Sequence, residues 1–236
     1  MLRSLRDPAN ALTGLGLVLA VIALAFVLGR NSRWAAIFAL LALMIDHIDG
    51  PVARRLRNRG RVEKQMGAAL DSFADIISAG AWPAALILVA TGSSVLGTVT
   101  ASVLVLAGAT RLSYYSIVGL DVGKRFTGLP VTYTVPAISL ALVASIHLDV
   151  PLRQLLIPAA WILTLLQVAP IKVRSLSGYG YVAVTVVVGF LITLLATTSV
   201  EPLAHKDHVE IEKGLEYRTH WAARGDGPIE SRSQAL

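Results

Sequence analysis

The sequence predicts an all-α protein, a polytopic membrane helical bundle with six or seven transmembrane helices. Three observations carry this expectation. Hydrophobic residues make up 55% of the 236 positions, more than a soluble core of this size requires. Apolar runs recur almost to the end, and several reach the roughly 20 residues that a helix needs to cross a hydrocarbon core. Lysine and arginine gather in alternate connections between those runs, as they do in polytopic proteins.

The candidate spans, in order, are 12–28, 34–56, 68–90, 95–119, 131–147, 152–170 and 179–198. The first follows a basic start and imitates a signal peptide. No small-x-small cleavage site follows it, and "RNSRW" leads straight into the next apolar run, so it reads as a retained first helix. Pro83 within the third span predicts a local kink. Trp34, Tyr114, Tyr115, Tyr133 and Trp161 read as packing or interface-belt aromatics. The run 152–170 carries Pro158 and Gln167, which is why the count stands at six or seven. From Glu201 the chain turns polar and has no helix-long apolar stripe. The expected organisation is a transmembrane domain over 1–200 and a flexible tail over 201–236. His205, His208 and His220 in that tail lack tight ligand spacing and predict no metal site. The absence of cysteine excludes disulfides and thiolate metal sites.

Orientation follows from the basic residues. The connection after the second span holds Arg54, Arg55, Arg57, Arg59, Arg61 and Lys64. A later one on the same side holds Lys124 and Arg125, and another Lys172 and Arg174. The opposite connections hold Arg30 and Arg33, then nothing in "TGSS", then Arg153. This asymmetry predicts a multi-pass cell membrane protein with its basic loops in the cytoplasm. Such loops rest on anionic lipid, and no nucleic acid is expected as a partner.

Between the second and third spans lies "DHIDGPVARRLRNRGRVEKQMGAALDSFAD". Asp46 is twelve residues past Trp34, roughly 18 Å along a helix. Asp49 lies one turn lower, near the cytoplasmic end. Asp71 and Asp75 are expected in the first turns of the third span, at a similar depth on an antiparallel helix. Spacings of i, i+3 and i, i+4 put each pair on one helix face. Four carboxylates at that depth repel one another and resist desolvation. Protonation relieves this, and so does a cation. Hard divalent ions take oxygen ligands, and two facing pairs supply enough oxygens for two ions, the clamp used in phosphoryl chemistry. Gly50 permits close approach to the backbone, and Arg54 is placed to reach a phosphate. Gly67 and the two alanines after it leave the start of the third helix bare. His47 faces away from both Asp46 and Asp49 and reads as a packing residue.

The order D-x-x-D-G-x-x-A-R … G-x-x-x-D-x-x-x-D stands here as Asp46, Asp49, Gly50, Ala53, Arg54, Gly67, Asp71 and Asp75. It resembles the signature of the CDP-alcohol phosphatidyltransferase family. "DSFADIISAGAWPA", "GATRLSYY" followed by "FTGLPV", and "IKVRSLSGYG" look like the phosphatidylserine synthase branch, so the resemblance covers roughly 10–190. It differs in having twelve residues between Arg54 and Gly67 where about eight are usual, an excess of about one helical turn. "RLSYYS" and "PVTY" also stand where the branch tends to read R-L-A-R-F-N and P-x-P.

The resemblance implies a phospholipid-synthesis transferase. CDP-diacylglycerol donates its phosphatidyl group to a small alcohol, L-serine first among them, and CMP leaves. Inositol phosphate, glycerol phosphate and choline are the alternative acceptors. It implies two divalent cations, Mg²⁺ or Mn²⁺, on Asp46, Asp49, Asp71 and Asp75, with Asp75 also the catalytic base. Asp46, Asp49, Gly50, Ala53, Arg54, Gly67 and Asp71 would bind the nucleotide, and Arg111 with Lys172 and Arg174 the acceptor. A homodimer and an active site at the cytoplasmic face are implied too. A membrane prenyltransferase also uses aspartate-rich helices, but its motifs lie far apart and lack the D-G-x-x-A-R run. An ion-coupled transporter fits less well, because no inverted repeat is visible.

Overall fold

A computed structural model describes residues 2–56, 59–119, 121, 123, 125–174 and 179–198. The chain divides into two units, Met1–Val200 and Glu201–Leu236. The second unit, and with it the expected flexible tail, lies outside the described residues, as does Lys124.

A short helix α1 (Leu2–Leu5) precedes α2 (Pro8–Leu28). Asp7 caps α2 by accepting from the Asn10 N–H at 3.2 Å, and Pro8 occupies the first turn, where no N–H is needed. Helix α3 (Ser32–Arg55) is capped by Asn31, which accepts from the Trp34 N–H at 3.2 Å. Helix α4 (Arg61–Asp75) runs into a π-helical segment (Ile76–Ala81) and then α5 (Trp82–Ala90). Together they form one 30-residue element, Arg61–Ala90. The element therefore starts seven residues before the expected 68, and Gly67 lies in its second turn. The excess residues before Gly67 extend this helix. The kink expected at Pro83 takes the form of a π turn placed immediately before the proline, which has no N–H for a regular ladder.

Helix α6 (Val95–Val118) is followed by strand β1 (Arg125–Thr127), a 3₁₀ turn (Val131–Tyr133), α7 (Thr134–Leu148), α8 (Leu152–Val168), strand β2 (Lys172–Arg174) and α9 (Tyr179–Thr197). The all-α expectation holds for the bundle, with one small addition. β1 and β2 pair antiparallel, Arg125 opposite Arg174, Phe126 opposite Val173 and Thr127 opposite Lys172.

Six of these elements are long and apolar enough to cross a membrane, and α8, at 17 residues, is shorter. The ribbon settles how α8 counts. Pairing of β1 with β2 brings the ends of α6 and α8 to the same rim, so α7 leads away and α8 returns. At the opposite rim the Arg33 guanidinium donates to the Thr198 carbonyl at 2.6 Å. The described chain thus traverses the bundle seven times. Pro158 is exposed on α8, and Gln167 finds a partner in Thr134, so neither prevents the crossing.

The core lies between α3, α5, α6, α7 and α8, around Trp82, Leu40, Ile87, Leu104, Ile138 and Leu156. The outward faces stay apolar, with Val18, Val21, Leu106, Ile162, Val186 and Phe190 exposed, as a bundle immersed in lipid requires. Helices α2 and α3 meet along small residues. Ala9, Gly16, Ala20 and Ala23 on α2, and Ala35, Ala36, Ala39 and Ala42 on α3, are all buried. A methyl on Gly16 would press to 3.4 Å from Ile45 Cγ2.

Gly128 holds the ribbon to α8. It has φ +78, and an added Cβ would collide with the Gln167 carbonyl oxygen. Its N–H donates to Ile171 O at 2.9 Å, and the Leu129 N–H donates to Leu166 O at 2.9 Å. Gly128→Ala is therefore expected to cost about 1–3 kcal/mol through backbone strain and overlap. Thermal unfolding in detergent checks this, and an unchanged midpoint refutes the seating.

Candidate functional site

Helix α2 packs on both α3 and α4. Asp46 and Asp49 come from α3, Asp71 and Asp75 from α4. One carboxylate oxygen from each of Asp46, Asp49 and Asp71 lies within 4.8 Å of the others. Carboxylates gathered this closely need a proton or a cation among them. Asp49 is buried, and the Thr13 hydroxyl on α2 donates to its Oδ2 at 2.6 Å. Asp75 joins Asp46 and Asp49 in lining a small cleft, whose other walls are Thr13, Gly16, Ala42, Ala74 and Ser78. It stands outside the tight group of three and interacts electrostatically with Arg111.

The donor set fits a hard divalent cation. It is all oxygen, anionic, and set in low-polarity surroundings. Among the described residues no lysine or arginine is ion-paired with Asp46, Asp49 or Asp71. The helices thus bring together three acidic groups with no lysine or arginine paired to them among the described residues.

The remaining motif residues form the rim. Arg54 folds back over Gly50, where an added Cβ would stand 3.4 Å from its Nη1. Ala53 is half-buried and Arg54 exposed. Gly67 faces Asn10 Oδ1 and the Arg59 guanidinium so closely that a methyl would displace them. These two side chains build a clasp that sequence reasoning missed. Arg59 Nη2 donates to Asn10 Oδ1 at 2.6 Å and pairs with Asp7 at 3.0 Å. The fully buried Asn10 amide donates to Ser4 O at 2.9 Å and to Glu63 O at 3.1 Å. One turn further along α2 stands Thr13. The signal for both was present in "DPANALT", where two polar residues at i, i+3 open an otherwise apolar span. His47 Nδ1–H donates to the Leu43 carbonyl oxygen at 2.8 Å, and its ring meets Tyr181 edge-on, in keeping with a packing role.

Arg111 on α6 is only 7% exposed. Its guanidinium carbon lies 5.3 Å from the Tyr115 ring centre and 5.1 Å from that of Phe126, and the two tilted rings are themselves 5.2 Å apart, so the cation rests against an aromatic pair. Its Nε has no hydrogen-bond partner among the described residues. Phe126, unremarked in the sequence, comes from β1. Side chains alternate along a strand, so Lys172 and Arg174 point to the other face of the ribbon from Val173, the partner of Phe126. Both are exposed. Lys172 donates to Thr127 Oγ1 at 2.9 Å and lies 3.9 Å from Asp121. Arg111 is thus within electrostatic range of Asp75, whereas Lys172 and Arg174 stand on the far face of the ribbon. The Arg125 N–H donates to Asp121 Oδ1 at 3.0 Å and holds that carboxyl below its ordinary range.

Fold and site together define a multi-pass helical membrane protein with an aspartate-lined cleft, chemically suited to a divalent cation, toward one rim of the bundle. The model of the CDP-alcohol phosphatidyltransferase family matches residues 7–166. The chain belongs to this family. It is similar to archaetidylserine synthase of Methanothermobacter thermautotrophicus, with 37% identity over 107 residues, 44% of each chain. It is 35% identical over 108 residues to CDP-diacylglycerol–serine O-phosphatidyltransferase of Saccharomyces cerevisiae, covering 42% of this chain and 38% of that one. A protein of that same description from Methanocaldococcus jannaschii is 38% identical over 91 residues, 39% of this chain and 41% of that one. The chain thus matches less than half the length of each of these relatives.

Proposed function

We propose that the protein transfers a phosphatidyl group from CDP-diacylglycerol to L-serine, releasing CMP, as a step of phospholipid synthesis. One observation carries this reading: Asp46 and Asp49, which cluster with Asp71, share a cleft with Asp75, and Asp75 interacts electrostatically with a buried arginine. The names of the relatives, all serine-linked, support the choice of acceptor.

Asp46, Asp49, Asp71 and Asp75 would hold two divalent cations, Mg²⁺ or Mn²⁺. Bound there, these would screen the pyrophosphate and the charge developing on the leaving CMP oxygen. Asp75 takes the proton of the serine hydroxyl as the serine oxygen attacks the phosphorus that carries diacylglycerol. The new P–O bond forms, the P–O bond to CMP breaks, and its electron pair leaves with the CMP phosphate. Thr13 keeps Asp49 in one orientation. Gly50, Ala53 and Arg54 border the nucleotide. Gly67 acts there through the clasp, by letting α4 lie against Asn10 and Arg59. Arg111 pairs with the serine carboxylate. The acyl chains stay in the bilayer beside the apolar outer faces of the bundle. The protein works as a homodimer in this reading.

The test is CMP release by purified protein given CDP-diacylglycerol, Mn²⁺ or Mg²⁺, and serine, inositol phosphate, glycerol phosphate or choline. Serine alone is expected to drive release. Consumption of another alcohol with serine inert overturns the acceptor. Pyrophosphate release, or solute flux without turnover, overturns the reaction class.

The reading places the cleft at the cytoplasmic face. In a chain without native cysteine, Arg61→Cys is expected to be shielded from an impermeant thiol reagent in intact cells, and Ser93→Cys labelled. The reverse pattern overturns the orientation.

A further inference from the structure

We infer that Gln167 is a specificity-determining residue that receives the ammonium group of the acceptor. The inference rests on the amino-acid acceptor proposed above, and adds to it a second recognition point.

Gln167 occupies the last turn of α8 and is 3% exposed. Its Nε2 donates to the Thr134 hydroxyl at 2.9 Å, and Thr134 is itself fully buried. Its Oε1 is buried with no partner among the described residues. Buried side-chain oxygens are rarely left so, and one that is calls for a ligand or another explanation. The oxygen faces Gly108 on α6. A Cβ added there would stand 3.6 Å from Gln167 Oε1, 3.7 Å from Val131 Cγ1 and 3.8 Å from Ile76 Cδ1. Gly108 therefore leaves a small gap between α6, α8, the 3₁₀ turn and the π segment.

That gap adjoins the proposed acceptor site. Gly108 and Arg111 are i, i+3 on α6 and share a face. Arg111 Nε is a second buried polar atom without a partner among the described residues. Ile76 follows Asp75 directly in the chain. Two buried groups without a partner among the described residues thus border this stretch of α6, one belonging to Arg111 and one facing Gly108. One is a cationic N–H donor, the other a neutral carbonyl acceptor. A molecule satisfying both presents an anionic acceptor group and a cationic donor joined by a short link, with a hydroxyl toward Asp75. That is the chemistry of a zwitterionic hydroxy-amino acid.

The geometry also fixes the aim of the amide. Thr134 holds its nitrogen end, and the Gly128–Leu129 backbone is seated on the turn of α8 that carries Gln167. A neutral amide suits the task, since a further carboxylate would add to an already anionic cleft. A site built to hydrogen-bond a substrate group rejects analogues that lack it, because its own polar atom is then left unpaired.

The experiment compares serine with two analogues, each lacking one charge. 3-Hydroxypropanoate lacks the ammonium, and ethanolamine lacks the carboxylate. Wild-type protein is expected to favour serine over 3-hydroxypropanoate by about 100-fold or more in kcat/KM, the range open to a hydrogen-bonding site. Gln167→Leu should lower kcat/KM for serine by at least about 30-fold and leave 3-hydroxypropanoate within about threefold, removing that preference. A second variant guards against misfolding. Gly108→Ala adds a methyl at ordinary contact distance from its surroundings, so the unfolding temperature should hold. The methyl occupies the space meant for the ammonium, and the serine KM should rise about tenfold or more. Equal losses on serine and 3-hydroxypropanoate in Gln167→Leu, or an unchanged serine KM in Gly108→Ala, overturn the inference and leave the serine reading standing. Wild-type protein inert toward serine but active on another alcohol overturns both.

Discussion

Asp71→Asn is expected to abolish CMP release, by at least about 10²–10³-fold, while the protein stays folded in detergent. The substitution preserves shape and replaces a charged ligand by a neutral amide. Asp71 is the one residue of α4 in the group of three whose oxygens converge within 4.8 Å. Without it, α3 alone cannot complete the set. The same change has an opposite signature in stability. In chelator, the native cleft holds facing carboxylates that repel one another. Removing one should leave the unfolding midpoint equal or higher. With Mn²⁺ added, the wild-type midpoint should rise by mass action and that of the variant should not. Near-normal turnover would remove Asp71 from the site, and an unaltered Mn²⁺ response would remove the cation.

Arg111→Lys is expected to raise the serine KM by about tenfold or more and change that for CDP-diacylglycerol by less than about threefold. The guanidinium is planar, and here its carbon lies over both the Tyr115 and the Phe126 rings, which also touch each other. An ammonium keeps the charge but loses the fork that meets a carboxylate through two parallel hydrogen bonds. It also loses the delocalised cation that both rings contact. If both constants rise together, Arg111 serves the cleft as a whole. If neither moves, the acceptor carboxylate is bound elsewhere.

Much of this architecture was legible in the sequence, because membrane solvation rewards long apolar runs and those runs are visible residue by residue. The aspartates were legible for a related reason. Four carboxylates at helical spacing between apolar segments have few explanations. What stayed hidden depends on contacts distant in the chain. The first two turns of α4, "RVEKQMGA", are polar, so hydropathy places the helix start too late. Strands of three residues have no periodicity to read, and the ribbon exists only because β1 meets β2 across some 45 residues. Pro158 and Gln167 counted against a crossing by α8, yet one is exposed and the other is paired with Thr134. Phe126 acquires meaning only when the ribbon lays it on Arg111. Asn10 and Thr13 were readable as a polar pair, but their partners Arg59, Glu63 and Asp49 were not.

The π turn at Ile76–Ala81 has a consequence for the helix on either side. A π turn holds one residue more than the α-turn it replaces, and each residue of a helix advances about 100° around its axis. The face carrying Asp71 and Asp75 is thereby set out of phase with the face carrying Trp82, Leu86 and Ile87, by that one residue. Shortening the segment by a residue would restore an unbroken α-helical ladder. It would also rotate the chemistry away from its cleft whenever the core is seated, or the core away from its neighbours whenever the chemistry is. The length of this single turn keeps the two halves of the helix in register with different partners.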